Sequence, residues 1–182
     1  MSGRRGYALT LLVLAASAIA AIVVTGFAWI SAFYTLPGQT WSEGLSLSGR
    51  DLAPLAVGGG WIALACIVGI VATAGVVRRA LGVVVAAAGT AVAVGAVVGM
   101  STAPAAMAVA IAREGGTLEA QLTLGMWSAV AAAAGVLTLL CGLATAARGA
   151  TWPTMSARYE RSPKPRSDDP WAALDRGEDP TA

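Results

Sequence analysis

The residues of this chain that could do chemistry are few, and what is missing narrows them further. Gly44-Leu45-Ser46-Leu47-Ser48 comes within one residue of the G-x-S-x-G turn that exposes a nucleophilic serine, but its last position is Ser. The chain has no histidine to serve as base. A Ser-His-Asp relay, a His-ligated zinc site and a haem with an axial His are therefore excluded. The phosphate-cradling patterns G-x-x-x-x-G-K-[ST] and G-x-G-x-x-G do not occur. Cys66 and Cys141 stand alone in apolar runs and make no C-x-x-C pair. The expectation is a noncatalytic protein with no cofactor and no metal.

The remaining patterns concern packing. Ala87, Ala91, Gly95 and Gly99 recur every fourth residue, and Gly95–Gly99 is a true G-x-x-x-G. Ala65–Gly69, Ala131–Gly135 and Gly142–Ala146 repeat the spacing. In lipid, such stripes let helix backbones approach closely. Ala91, Gly95 and Gly99 are thus expected to mark helix packing within the chain or contact in a homo-oligomer. Gly58-Gly59-Gly60 reads as close packing or as a shallow pocket. Ser17, Thr73, Thr90 and Thr138 fall in apolar runs, where hydroxyls bond back to their own helix carbonyls.

Those patterns need elements to carry them, and composition says which. Of 182 residues 57% are hydrophobic and 12% charged, and mean hydropathy is +0.70. That is about half the charge of a soluble domain, so a water-soluble enzyme is set aside. Residues 7–33, 55–77, 80–100 and 122–147 are free of Asp, Glu, Lys and Arg. Roughly 20 helical residues cross a hydrocarbon core of about 30 Å, and nothing alternates as barrel strands do. The fold class expected is all-α integral membrane: a four-transmembrane-helix bundle over 1–147 with helices about 7–33, 55–77, 80–100 and 122–147. The first run outlasts a signal-peptide core and is expected to be retained. The lipid bilayer is its first partner, and a net charge of +2 gives no reason to expect nucleic acid.

Orientation follows from the cations. Of the 12 basic residues, only Arg50 and Arg113 fall in the loops after the first and third runs. The positive-inside rule then puts both termini in the cytoplasm of a multi-pass plasma-membrane protein. Trp29, Trp61, Trp127 and Trp152 sit near helix ends, as an interfacial belt requires. Arg78-Arg79 reads as the tight turn of a hairpin between the second and third helices. The loop over residues 34–54 can hold a short strand or turn pair. Residues 104–112 can form a surface helix opened by Pro104, or extend the third helix.

Composition changes at residue 148. Prolines at 153, 163, 165, 170 and 180 predict a mostly disordered cytoplasmic tail over 148–182. Asp169 and Pro170 can start a short helix near 170–176, and Gly177 can stop it. Trp171 and Leu174 would share one face of it. Trp152, Tyr159, Trp171 and Leu174 are apolar islands in this polar segment and are expected to dock a cytoplasmic protein partner.

Several stretches carry a family resemblance. Ser48-Gly49-Arg50-Asp51-Leu52-Ala53-Pro54 precedes the second run, and Arg78-Arg79-x-x-Gly82 opens the third. The tail reads Trp152-Pro153-Thr154-Met155-Ser156-Ala157-Arg158-Tyr159 and later Trp171-Ala172-Ala173-Leu174-Asp175-Arg176-Gly177-Glu178-Asp179-Pro180-Thr181. With these the chain resembles the actinobacterial tryptophan-associated transmembrane proteins over nearly its whole length. The resemblance implies a four-helix plasma-membrane protein encoded beside tryptophan-biosynthesis genes, with no catalytic or binding residues to carry over. Two functions are expected from residues and resemblance together. One is a scaffold or accessory subunit linked to tryptophan metabolism. The other is a small transporter or exporter component for tryptophan, indole or a related metabolite.

Overall fold

The computed structural model describes residues 2–118 and 122–152. Among the described residues, four helices are long and apolar enough to cross a membrane. They are α1 (Ser2–Val24), α3 (Pro54–Ala72), α4 (Gly75–Arg113) and α5 (Trp127–Arg148), with a one-turn helix α2 (Gly49–Leu52) between β2 and α3. A small antiparallel sheet joins them at one end. It comprises β1 (Ala28–Thr35), β2 (Glu43–Ser48), β3 (Thr117–Leu118) and β4 (Thr123–Leu124). β1 is central: β2 lies along one edge, and β3 and β4 pair with successive parts of the other.

The expected first helix over 7–33 is corrected: it stops at Val24, and its last third is β1. The run lacks charge throughout, so composition gives no break. Yet Trp29, Ile30, Phe33, Tyr34 and Thr35 belong to the β-branched and aromatic types that favour strands. Trp29 is fully buried and donates its indole N–H to Val24 O at 2.9 Å, satisfying a carbonyl freed where the helix ends. The strand foreseen in the 34–54 loop exists as β2, whose partner β1 begins upstream of that loop at Ala28.

The hairpin turn is corrected as well. It is formed by Thr73 and Ala74 between α3 and α4, with Gly75 at φ +60° supplying the left-handed step. Arg78 and Arg79 are already helical. The third helix runs on to Arg113, past the expected residue 100 and straight through Pro104, so residues 104–112 extend it. The fourth begins at Trp127 rather than 122, because Thr123–Leu124 are held by β1.

A helix of 39 residues is about 58 Å long, roughly twice the hydrocarbon thickness. One end of α4 must therefore leave the lipid. Open sheet edges are not tolerated in hydrocarbon, so the projecting end is the one beside the sheet. There Ala103, Met107 and Ile111 of α4 pack beneath Ile30, Ala32 and Tyr34 of β1. Two further clusters fill the bundle: Leu14, Ala63, Ile70 and Val85 toward the Arg-rich end, and Ala21, Val24, Ala56 and Val92 toward the sheet.

Candidate functional sites in the bundle and at its two ends

Within the bundle, the closest helix approach is between α4 and α5, and four glycines make it. A methyl group placed on Gly82 would lie 2.5 Å from Ala146 N and 2.9 Å from Gly142 O. On Gly89 it would lie 2.8 Å from Gly135 O, and on Gly135 2.9 Å from Gly89 O. Gly142 meets Gly82 O at 2.8 Å in the same way. Gly82 and Gly89 are seven residues apart, as are Gly135 and Gly142. A seven-residue repeat keeps one face of each helix on a continuous seam. Reading by fours caught Gly135 and Gly142 singly and missed the seam; reading by sevens finds all four.

Gly95 and Gly99 are buried, and Ala91 is half-buried. Gly95 faces Ala56 and Leu55, and Gly99 faces Leu52 and Ala53. The G-x-x-x-G thus packs α4 against α2 and α3 of its own chain. The glycine triplet divides its work. Gly59 meets Ala88 and Val92, Gly60 meets Ile22, and Gly58 has nothing within 4 Å. Thr73 and Thr90 bond back to Gly69 O and Ala86 O as expected. Ser17 does so to Leu14 O, but it also bonds across the bundle to Thr138 at 2.9 Å. Cys66 and Cys141 are free and buried.

Arg78 organises the Arg-rich end. Its side chain is 1% exposed, although its neighbour Arg79 is exposed. Nε donates to Thr73 O at 2.9 Å and Ile70 O at 3.1 Å, and Nη2 also donates to Thr73 O. Nη1 reaches Gly149 O at 3.3 Å and Trp152 O at 3.4 Å. Ile70 and Thr73 end α3, while Gly149 caps α5. The guanidinium thus sits at two helix C-termini, where orphan carbonyls and the negative dipole end both favour a cation. The Tyr7 ring lies 5.6 Å from its Cζ, and Trp152 packs on Tyr7 with ring centroids 5.2 Å apart. A charge on the helical side of a turn and one outside it look alike in sequence, so Arg78 carried no signal of its own.

This corrects the reading of Trp152 as a docking residue. Its side chain is 7% exposed and is used inside the bundle. Tyr159, Trp171 and Leu174 lie outside the described residues, as does the expected helix near 170–176.

At the sheet end a groove of about 520 Å³ runs between α4 and the β2–α2 corner. Leu47, Leu52, Ala106 and Val109 line it, with Asp51 and Arg113 among its polar residues. Asp51 Oδ2 accepts from Ser48 Oγ at 2.6 Å and Ser48 N at 2.9 Å. The side-chain hydrogen bond, then the backbone one, holds its carboxyl below the ordinary value of 3.8. Asp51 is thereby a cap for α2 before it is anything else. Ser46, from the near-miss nucleophile pattern, lies on β2 opposite Ser31. No group of metal-ligating side chains occurs among the described residues.

The model of a family described as tryptophan-associated transmembrane protein matches residues 11–181. No curated protein and no solved structure matches the chain.

Proposed function

We propose, because the chain belongs to the tryptophan-associated transmembrane protein family, that it is a noncatalytic scaffold or accessory subunit that holds a partner at the membrane in the service of tryptophan metabolism. The observation that carries this reading is the glycine seam. Gly82 and Gly89 meet Gly142 and Gly135 with no room for a methyl group, so α4 and α5 form a rigid pair rather than the walls of a gated path. Transporters mark their routes with broken helices and ionisable residues at the midplane. Here no cation or carboxylate lies at mid-span in the described helices, Arg78 being held at the helix C-termini, and the buried hydroxyls of Ser17, Thr138 and Thr145 bond to one another and to helix carbonyls.

In this reading the Arg-rich end faces the cytoplasm of a plasma-membrane protein, since ten of the 12 basic residues lie at that end or in the segment beyond it. The partner is a cytoplasmic protein that recognises Tyr159, Trp171 and Leu174. These residues stand as apolar islands in a segment rich in proline and charge.

Two measurements test it. A chain ending at Trp152 should insert and purify as the full chain does, yet lose the protein that cross-links to the full chain in cells. Retention of that protein by the shortened chain overturns the docking role. Purified protein in proteoliposomes should give no flux of labelled tryptophan or indole above empty vesicles. Protein-dependent flux replaces the scaffold with the transporter.

A further inference from the structure

We propose that the groove at the sheet end takes an extended peptide segment of a partner protein, which adds to the free edge of β2 and lays every second side chain on α4. Among the described residues β2 pairs with β1 alone, so its other edge holds backbone N–H and C=O groups with no strand to meet. Sheets commonly protect such an edge with Lys or Pro, and Gly44-Leu45-Ser46-Leu47-Ser48 has neither. Leu45 and Leu47 stand opposite Ala32 and Ile30 of β1, and all four turn toward α4. Beyond Leu47 the surface of α4 continues uncovered. Thr102, Ala106 and Val109 line the groove of about 520 Å³ there, a size ordinary for a ligand site, and Val109 is 53% exposed. One more strand beside β2 would cover this surface as β1 covers Met107.

Strand direction and charge select the occupant. β1 starts where Trp29 packs on Gly49 and ends where Tyr34 meets Gly116, just past the end of α4 at Arg113. It therefore ascends beside α4, away from the lipid, and β2 descends. Since α2 meets α4 at Gly99, Asp51 marks the lower end of the groove and Arg113 the upper. Both hydrogen bonds to Asp51 use Oδ2, which leaves Oδ1 to accept from a cation. Arg113 is exposed on the last turn of α4. From Thr102 to Arg113 the helix rises about 16 Å, the length of about five residues of extended chain. An antiparallel guest runs upward. It carries a base near its amino end for Asp51, apolar residues at alternate positions for α4, and an acid near its carboxyl end for Arg113. A second copy of this chain in the same bilayer is a poorer guest: its β2 descends too and cannot supply the antiparallel strand. The site uses no residue of the docking segment proposed above and does not rest on that reading.

The test uses the full chain in nanodiscs and the fluorescence anisotropy of a labelled peptide, Lys-Thr-Val-Thr-Val-Thr-Asp, blocked at both ends. It should bind saturably, and the charge-reversed peptide Asp-Thr-Val-Thr-Val-Thr-Lys should bind several-fold more weakly. Arg113→Glu, a change at an exposed position, should weaken binding of the first peptide by a similar factor. Ala106→Trp, which fills the groove, should abolish it. Methylating alternate backbone nitrogens along one edge of the peptide should abolish binding, and along the other edge should leave it intact, because only one edge meets β2. Absence of binding, equal binding of the two charge orders, retained binding by Ala106→Trp, or equal effects of the two methylation patterns overturns the proposal. So does a dimer of the full chain that Arg113→Glu dissociates, since the occupant is then a second copy.

Discussion

Between Gly82 and Gly99, helix α4 brings glycine and alanine backbone against its neighbours, with Val85 and Val92 its largest fully buried side chains there; between Ala103 and Ile111, the same helix meets them through methionine and isoleucine. The lower stretch puts Gly82 and Gly89 against the backbone of α5, and Gly95 and Gly99 against that of α2 and α3. The upper stretch buries Met107 and Ile111 under Ile30 and Tyr34 of β1. Solvent explains the contrast. Lipid tails are as apolar as leucine, so burying a large side chain between spanning helices gains little, and close backbone approach gains dispersion instead. Beyond the lipid the helix meets water, and burying a Met or Ile side chain is worth about 1.5–3 kcal/mol. A single helix thus follows membrane rules along one half and soluble-protein rules along the other.

The largest effect should come from breaking the lower half. Gly89→Leu puts a side chain where Gly135 and Leu139 backbone already stands, so α4 and α5 must part. The variant should lose its compact monodisperse form in detergent on size exclusion. Gly58→Ala, at a site with nothing within 4 Å, should not. Identical behaviour of Gly89→Leu and the parent would remove the seam from the account.

Met107→Ala addresses the upper half. Met107 is fully buried, and large-to-small core changes of this kind cost about 2–5 kcal/mol. Amide exchange should speed up in β1 and in Ala103–Ile111, while the amides of the α4–α5 seam stay protected. Acceleration along the whole of α4 would mean that its two halves do not behave as separate packing regimes.

Arg78→Gln tests the end of the bundle that neither regime explains. Buried carbonyls that lose their donor cost about 1–3 kcal/mol each, so the last turns of α3 and α5 should exchange faster. Arg78→Lys should restore little, since one ammonium lacks the fork that reaches both helix ends. Full protection in Arg78→Lys would reduce the site to a point charge.

The smallest effect is at Asp51. Its pKa is lower in the folded chain than unfolded, so the stability it contributes is present above the ordinary value of 3.8 and is lost as pH falls through the folded value. The protection factor of the Ser48 amide, which corrects for the intrinsic slowing of exchange in acid, should fall as the medium is acidified through that range. Asp51→Asn should flatten the profile; an unchanged profile would remove Asp51 from the cap.

Much of this contrast was open to reading in the residues. Four charge-free runs required four spans, and glycines at close spacing announced where helices would meet. The seven-residue spacing of Gly82–Gly89 and Gly135–Gly142 was present too, and only the choice of a four-residue period concealed it. β1 was hidden for a different reason. Trp29–Tyr34 is as apolar as the helix before it, and hydropathy does not distinguish a lipid-facing helix from a strand that covers a core. Arg78 was hidden because its partners are carbonyls, which every residue has and no sequence pattern reports.

The sequence by itself determined that the chain lives in a bilayer, because a surface so poor in charge cannot be hydrated. It also determined which end of the bundle is basic and that four long runs carry no Asp, Glu, Lys, Arg or His. Tertiary structure alone decided where α1 stops, that α4 continues past Pro104 into water, and that Arg78 and Trp152 turn inward while Arg79 stays exposed. Those outcomes depend on which backbone groups meet in space, and a carbonyl left free at a helix end becomes a binding partner only once the fold brings a donor to it.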